Sequence, residues 1–184
     1  MRIGVLPIGQ IEPALVAEIA AGLERIFPET FCSIIRNDFR VSGETFDVKR
    51  AQFNSSQILE KICFYTFAKG VSYERVLGVI DVDLFVSGLN FVFGEAYAPG
   101  KAALISLWRL RPEFYGGRNS ASVFFERALK EAVHELGHTL GLTHCQRSSC
   151  VMHFSKSIFD TDKKQSLLCG QCYLQAAYAI SILS

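Results

Sequence analysis

Apolar and polar positions change period along this chain, and the changes mark its elements. Arg2 to Ile8 is a short, mainly apolar run closed by Gly9 and predicts a strand. From Pro13 to Phe27, Leu15, Val16, Ile19, Leu23 and Ile26 recur at helical spacing, with Pro13 in the first turn. Cys32 to Arg36 predicts a second strand. Ser55 to Lys69 predicts a second helix, capped by Asn54 or Ser55 and stopped by Gly70. Val76 to Phe85 is β-branched and apolar and predicts a strand buried on both faces. Asn90 to Tyr97, broken by Gly94, and Ala102 to Trp108 predict two more, parted by the Pro99-Gly100 turn. A long helix is expected from about Ser120 to Leu140. Phe125, Leu129, Ala132 and Leu136 form its core face, with Glu131, His134 and His138 opposite. Gln171 to Leu183 predicts a last helix. The order β-α-β-α-β-β-β-α describes an α/β (α+β) protein, a mixed twisted sheet carrying helices.

The end of the long helix carries the chain's most informative residues. His134-Glu135-Leu136-Gly137-His138 runs on through Gly141 to His144, which is H-E-x-x-H-x-x-G-x-x-H. Two imidazoles four residues apart project from one helix face and can grip a single metal ion. Glu135 is one step around the helix, beside the metal without ligating it, where it can take a proton from water. Gly141 supplies the left-handed turn that stops the helix and lets His144 swing back as a third ligand. Three protein ligands leave a position open, as catalytic zinc requires. A chance match on a polar helix face is the bland alternative. With 4 histidines in 184 residues, that coincidence is remote.

A second cluster follows directly. Cys145 adjoins His144, Cys150 lies beyond four intervening residues, and Cys169 and Cys172 form a CxxC. Two cysteine pairs at this spacing read as a closed, structural zinc site of the ribbon type. Disulfides compete with that reading, as does a redox CxxC. No signal peptide precedes the first strand, so a reducing, cytoplasmic location is expected, and there a metal is favoured. Cys32 and Cys63 remain as expected core residues.

From His134 to Cys172 these motifs resemble the metzincins, and within them the archaemetzincins, whose pattern adds a Cys after the third His, then Cys-x-Met and CxxC. Cys150-Val151-Met152 supplies the middle step. The resemblance implies a metzincin-like catalytic domain and places Met152 in a tight turn beneath the catalytic zinc. It also points to the strand around Asn90 to Tyr97 as the upper rim of the cleft. One domain over 1–184 is expected. An N-terminal subdomain, 1–141, ends with the HExxH helix, and a short zinc-braced C-terminal subdomain, 142–184, carries the Met-turn and the four cysteines. There are two departures. Sixteen residues separate Met152 from Cys169, one fewer than the family pattern, which a loop absorbs. Some metzincins carry a Tyr two residues after the Met to stabilise the reaction intermediate. Phe154 stands there, without a hydroxyl; His153 is a candidate for the role, an ordinary solvated His the alternative.

Composition narrows the partners. With 49% apolar and 20% charged residues the chain is globular, and a net charge of +1 offers no basic stripe for nucleic acid. Its apolar runs are too short to span a membrane. The expected function is a zinc metallopeptidase, acting as a monomer on a peptide or protein substrate. It would hold two Zn²⁺ per chain, one catalytic on His134, His138 and His144, one structural on Cys145, Cys150, Cys169 and Cys172. A metal-held water, with Glu135 as general base, would cleave the amide. Two rivals are a hydrolase of a non-peptide amide, such as a deacylase, and a catalytically silent, zinc-stabilised interaction domain. No segment ahead of the first strand could serve as an inhibitory pro-peptide, so restraint by that route is not expected.

Overall fold

The computed structural model describes residues 1–36, 38–70 and 72–183. Its main sheet has five strands: β1 (Arg2–Ile8), β2 (Phe31–Ile34), β5 (Arg75–Ile80), β7 (Gly94–Ala96) and β8 (Ala102–Ser106). Their spatial order is β2-β1-β5-β8-β7, parallel except for the antiparallel edge strand β7. A smaller sheet joins β3 (Phe46–Asp47), β4 (Gln52–Asn54) and β6 (Leu84–Phe85). The helices are α1 (Pro13–Ile26), α2 (Ser55–Ala68), α3 (Ala121–Thr139), α4 (Ile158–Lys163) and α5 (Gly170–Ser181). The result is the mixed α/β architecture expected from the periodicity.

The strand period sorts the core into two layers. Ile3 and Val5 of β1, Leu77 and Val79 of β5, and Ala103 and Ile105 of β8 face α1 and α3. Their neighbours Leu6, Ile8, Val76, Ile80, Ala102 and Leu104 face α2. Alternation of this kind, apolar on both sides, is what a sheet covered on both faces demands. Gly22 of α1 faces Leu129 of α3, whose side chain fills the space a larger residue would need.

Several strand boundaries differ from expectation, for identifiable reasons. The run Val76–Phe85 is not one strand. It breaks after Ile80, because Asp81 and Asp83 cannot enter a doubly covered sheet. Each instead pairs with an arginine beyond β8: Arg111 Nη2 lies 2.5 Å from Asp81 and Arg109 Nε 2.6 Å from Asp83. Leu84 and Phe85 then join the small sheet. Within Asn90–Tyr97 only Gly94–Ala96 is a strand, begun rather than broken by Gly94, while Val92 makes a single bridge to Leu84. β8 stops at Ser106, whose Oγ accepts the Trp108 N–H, and a 3-10 turn follows. β2 ends at Ile34, short of the expected Arg36. Cys32 and Cys63 are half-buried rather than core residues.

Candidate metal centre

α3 is capped by Ser120, whose Oγ accepts the Val123 N–H, and from Arg127 to Gly137 every residue is buried. Its histidine face is therefore as enclosed as its core face, a departure from simple amphipathicity. Gly141 takes φ +87°, and the Leu142 N–H returns 3.1 Å to the Gly137 carbonyl, reversing the chain. That reversal brings the His144 ring to 5.3 Å from the His134 ring and 4.9 Å from that of His138. Each of the three offers a nitrogen within 4.8 Å of the others.

The protons are already committed. His134 Nδ1 lies 2.8 Å from the Val151 carbonyl, and His138 Nδ1 2.8 Å from that of Leu142. A carbonyl only accepts, so both Nδ1 atoms carry hydrogen and both Nε2 atoms present lone pairs. Those two Nε2 atoms are 3.1 Å apart. Two lone pairs so close need a cation between them. Tetrahedral zinc with Zn–N of roughly 2.0–2.1 Å would hold its ligand nitrogens about 3.3 Å apart. The site fits the ion. Burial holds all three imidazoles below their ordinary pKa, His134 furthest, which keeps them neutral.

Glu135 is buried beside them. Burial, reinforced by Glu131 and Glu95, raises its carboxyl well above the usual range. Gly94 on β7 makes room for it: a β-carbon there would lie 2.6 Å from Glu135 Cγ and 2.7 Å from the Leu104 carbonyl. Met152 is fully buried, and its sulfur occupies the space a side chain at Gly137, on the same helix as His134 and His138, would need. The turn that carries it is closed by the His153 N–H on the Cys150 carbonyl at 2.9 Å. His153 is half-buried, its Nδ1 2.8 Å from the Cys145 carbonyl, so it is tied to this loop rather than free in solvent. Phe154 packs on His144 at 4.8 Å.

Cys145, Cys150, Cys169 and Cys172 also converge, their sulfurs all within 4.8 Å. Cys145 and Cys169 are 3.8 Å apart, too far for a disulfide at about 2.05 Å. The distance agrees with two thiolates on one zinc at about 2.3 Å. Hydrogen bonding from the Cys172 N–H pulls the Cys169 thiol down to about 7, whereas burial pushes Cys150 and Cys172 up. Lys164, missed in the sequence, is fully buried 3.3 Å from Glu131. Nothing in its local sequence separates it from the exposed Lys163. Glu131 was legible, three residues before His134 and on the same face.

The profile described as Peptidase family M54 matches residues 34–176. The archaemetzincin of Methanocaldococcus jannaschii is 45% identical over 175 residues, covering 94% of this chain and 90% of its own. The chain belongs to peptidase family M54, the archaemetzincins. It is accordingly a zinc metallopeptidase. Solved archaemetzincins share its fold. That of Methanopyrus kandleri has a TM-score of 0.84 at 29% identity, covering 98% of this chain and 96% of the other. That of Archaeoglobus fulgidus has a TM-score of 0.80 at 34% identity, covering 95% and 99%. No helix among the described residues is long and apolar enough to cross a membrane.

Two glycines give this archaemetzincin's site direct tests. Gly137→Ala should drive a methyl into Met152 and destabilise the protein by about 1–3 kcal/mol, the usual cost of overpacking. Urea denaturation measures it; an unchanged midpoint would mean that Met152 does not fill that space. Gly94→Ala should displace Glu135 while leaving zinc content intact, because a main-chain carbonyl blocks the alternative position. If Glu135 is the general base, turnover is expected to fall on the order of 10²-fold, the cost of misplacing a catalytic group by about 1 Å. Parallel kinetics and zinc assays check the split.

Proposed function

We propose that His134, His138 and His144 hold the catalytic zinc of a peptide-bond hydrolase whose general base is Glu135. We further propose that Cys145, Cys150, Cys169 and Cys172 hold a second, structural zinc. The observation that carries the reading is the pair of His134 and His138 Nε2 lone pairs, 3.1 Å apart with their protons fixed elsewhere. When bound, zinc supplies a Lewis acid that polarises the scissile carbonyl and lowers the pKa of water. Glu135 accepts the proton of the attacking water and delivers it to the leaving nitrogen. Its raised pKa suits it to hold that proton between the two steps. The backbone of β7, at the sheet edge, offers an extended peptide free pairing groups, which bind main chain with little demand on side chains. Residues 1–141 form the larger subdomain and 142–184 the smaller, and the substrate lies between them. The protein would work as a monomer in a reducing, cytoplasmic setting, where the four converging cysteines stay reduced and able to ligate metal.

The test is zinc quantification with a peptide-library digest read by mass spectrometry. Zinc-dependent cleavage of internal or terminal amide bonds is expected. A zinc-loaded protein that hydrolyses acyl-amines but no peptide would overturn the reading in favour of a deacylase.

Acid should switch the enzyme off. Each imidazole has a folded-state pKa below its unfolded value, so neutral histidine is the native form. The stability this gives is complete above about 6.5 and is lost as pH falls through the lowered folded-state values. Protonation also expels metal. Activity is expected to fall in step with occupancy of the histidine site, followed site by site. Full activity after that site has emptied would contradict a zinc-dependent reaction.

A further inference from the structure

The segment from Leu89 to Phe93 forms one wall of the space beside His134 and Glu135, and it leads directly into β7. Main-chain bonds hold it at Val92, by a bridge to Leu84, and at Phe93, whose carbonyl accepts the Ser106 N–H at 2.8 Å. The carbonyls of Leu89 and Asn90 are engaged by side chains instead.

Those side chains come from the approach to β4. Arg50 Nη2 donates to the Leu89 and Asn90 carbonyls, 2.9 Å from each, which occupies both of its hydrogens. Arg50 Nε donates to Gln52 Oε1 at 3.0 Å, and the guanidinium lies 4.4 Å from the centre of the Phe85 ring. Gln52 Nε2 donates to the Asn90 carbonyl and to Asp83, each at 3.1 Å. Asp83 in turn holds the fork of Arg109 at 2.6 and 2.7 Å, and that guanidinium stacks 4.4 Å over Phe91. Two carbonyls and one ring of the wall are thus gripped from behind.

The turn that delivers Arg50 and Gln52 is itself constrained. Asp47 Oδ1 accepts the N–H groups of Lys49 and Arg50 at 2.9 and 3.1 Å, and Ala51 takes φ +53°. A β-carbon disfavours that left-handed conformation, which persists only where surrounding contacts over-determine it. The bonds made by the residues on either side of Ala51 do so.

A wall that pairs with an extended chain binds it more weakly if the wall must order as the chain arrives. Residues 87–90 are exposed, with Gly88 at φ +88°, so packing does little to order them. We propose that Arg50, backed by Gln52, is a positioning residue for peptide binding: it fixes the Leu89 and Asn90 backbone so that the segment entering β7 meets an extended substrate already ordered. This rests on the reading of β7 as the edge along which a peptide pairs. Neither Arg50 nor Gln52 lines the space beside the imidazoles, so the effect falls on binding and not on the chemical step.

The test compares Arg50→Ala with Arg111→Ala. Arg50 is exposed, so its loss leaves the core intact. Arg111 forks onto Asp81 at 2.6 and 2.5 Å much as Arg109 does onto Asp83, but its further contacts are the Leu107 carbonyl and the Phe124 ring, outside the wall. In the first arm, hydrogen exchange at the Val92 amide is expected to quicken in Arg50→Ala and to stay unchanged in Arg111→Ala. In the second, a peptide long enough to lie along β7 is titrated calorimetrically into zinc-loaded Glu135→Gln protein, and its cleavage is followed with Glu135 in place. Arg50→Ala is expected to weaken binding and raise KM about tenfold, what roughly one hydrogen bond from a charged group is worth, with kcat unchanged. Unchanged exchange, unchanged affinity, a fall in kcat in place of the rise in KM, or an equal rise in KM in Arg111→Ala overturns the proposal. A protein that cleaves no peptide, yet binds one about tenfold more weakly after Arg50→Ala, would overturn the hydrolytic reading and leave the positioning role standing.

Discussion

Glu135→Gln is expected to slow peptide hydrolysis on the order of 10²–10⁴-fold with zinc content unchanged. The amide is nearly isosteric with the carboxylate, so the packing against Gly94 survives. Glu135 also lies outside the set of three converging imidazoles, so metal binding does not depend on it. What the variant would lose, on the proposed mechanism, is the acceptance and return of a proton. The protein carries a cost for keeping that acid buried between Glu131 and Glu95, so the amide is expected to be no less stable. Steady-state kinetics, metal analysis and a melting curve on one preparation check all three points. Loss of zinc would make Glu135 a ligand, and wild-type turnover would remove it from the mechanism.

Cys169→Ser or Cys172→Ser is expected to reach the catalytic zinc from a distance in sequence. His144 follows the helix, so no i→i−4 ladder holds it. Its neighbour Cys145 donates its N–H to the Met152 carbonyl at 2.9 Å and joins the sulfur cluster. Cys150, two residues before Met152, accepts the Cys169 N–H at 3.3 Å, and Val151 in turn holds the His134 ring. The cysteine cluster thus braces a segment that supports both His134 and His144. α5 adds only a narrow apolar stripe, Cys172, Ala176 and Ile180. Structural zinc contributes on the order of 10 kcal/mol to such segments, more than that stripe supplies. The variants are expected to lose the second metal, to bind catalytic zinc at least about tenfold more weakly, and to fray beyond Gly141 in hydrogen exchange. A variant with its cysteine site empty, histidine-site affinity unchanged and α5 still protected would sink the idea.

The site was legible in the sequence because its chemistry is local. His134, Glu135 and His138 share one helix, Gly141 announces the reversal, and Cys145 and Cys150 flank the return. α1, α2, α3 and α5 were readable for a similar reason, since each runs 12 residues or more and has its periodic apolar face or its cap written nearby. The small sheet was not. Its strands of two or three residues are too short for a period to register. The break after Ile80 had a local sign in Asp81 and Asp83, but the partners that hold them outside the sheet, Arg109 and Arg111, lie nearly thirty residues downstream. Lys164 was hidden because only tertiary contact with Glu131 distinguishes it from its exposed neighbour. Long-range ion pairs decide these points, and no local pattern encodes them.

The central claim is a hydrolytic zinc on three histidines braced by a second zinc on four cysteines. Anomalous diffraction at the zinc edge from crystals of the purified protein tests it most directly. Two peaks per chain are expected, one about 2.0–2.1 Å from the His134, His138 and His144 nitrogens with no fourth protein ligand, the other about 2.3 Å from the four sulfurs. A single peak, a fourth side chain closing the histidine site, or disulfides among Cys145, Cys150, Cys169 and Cys172 would contradict it.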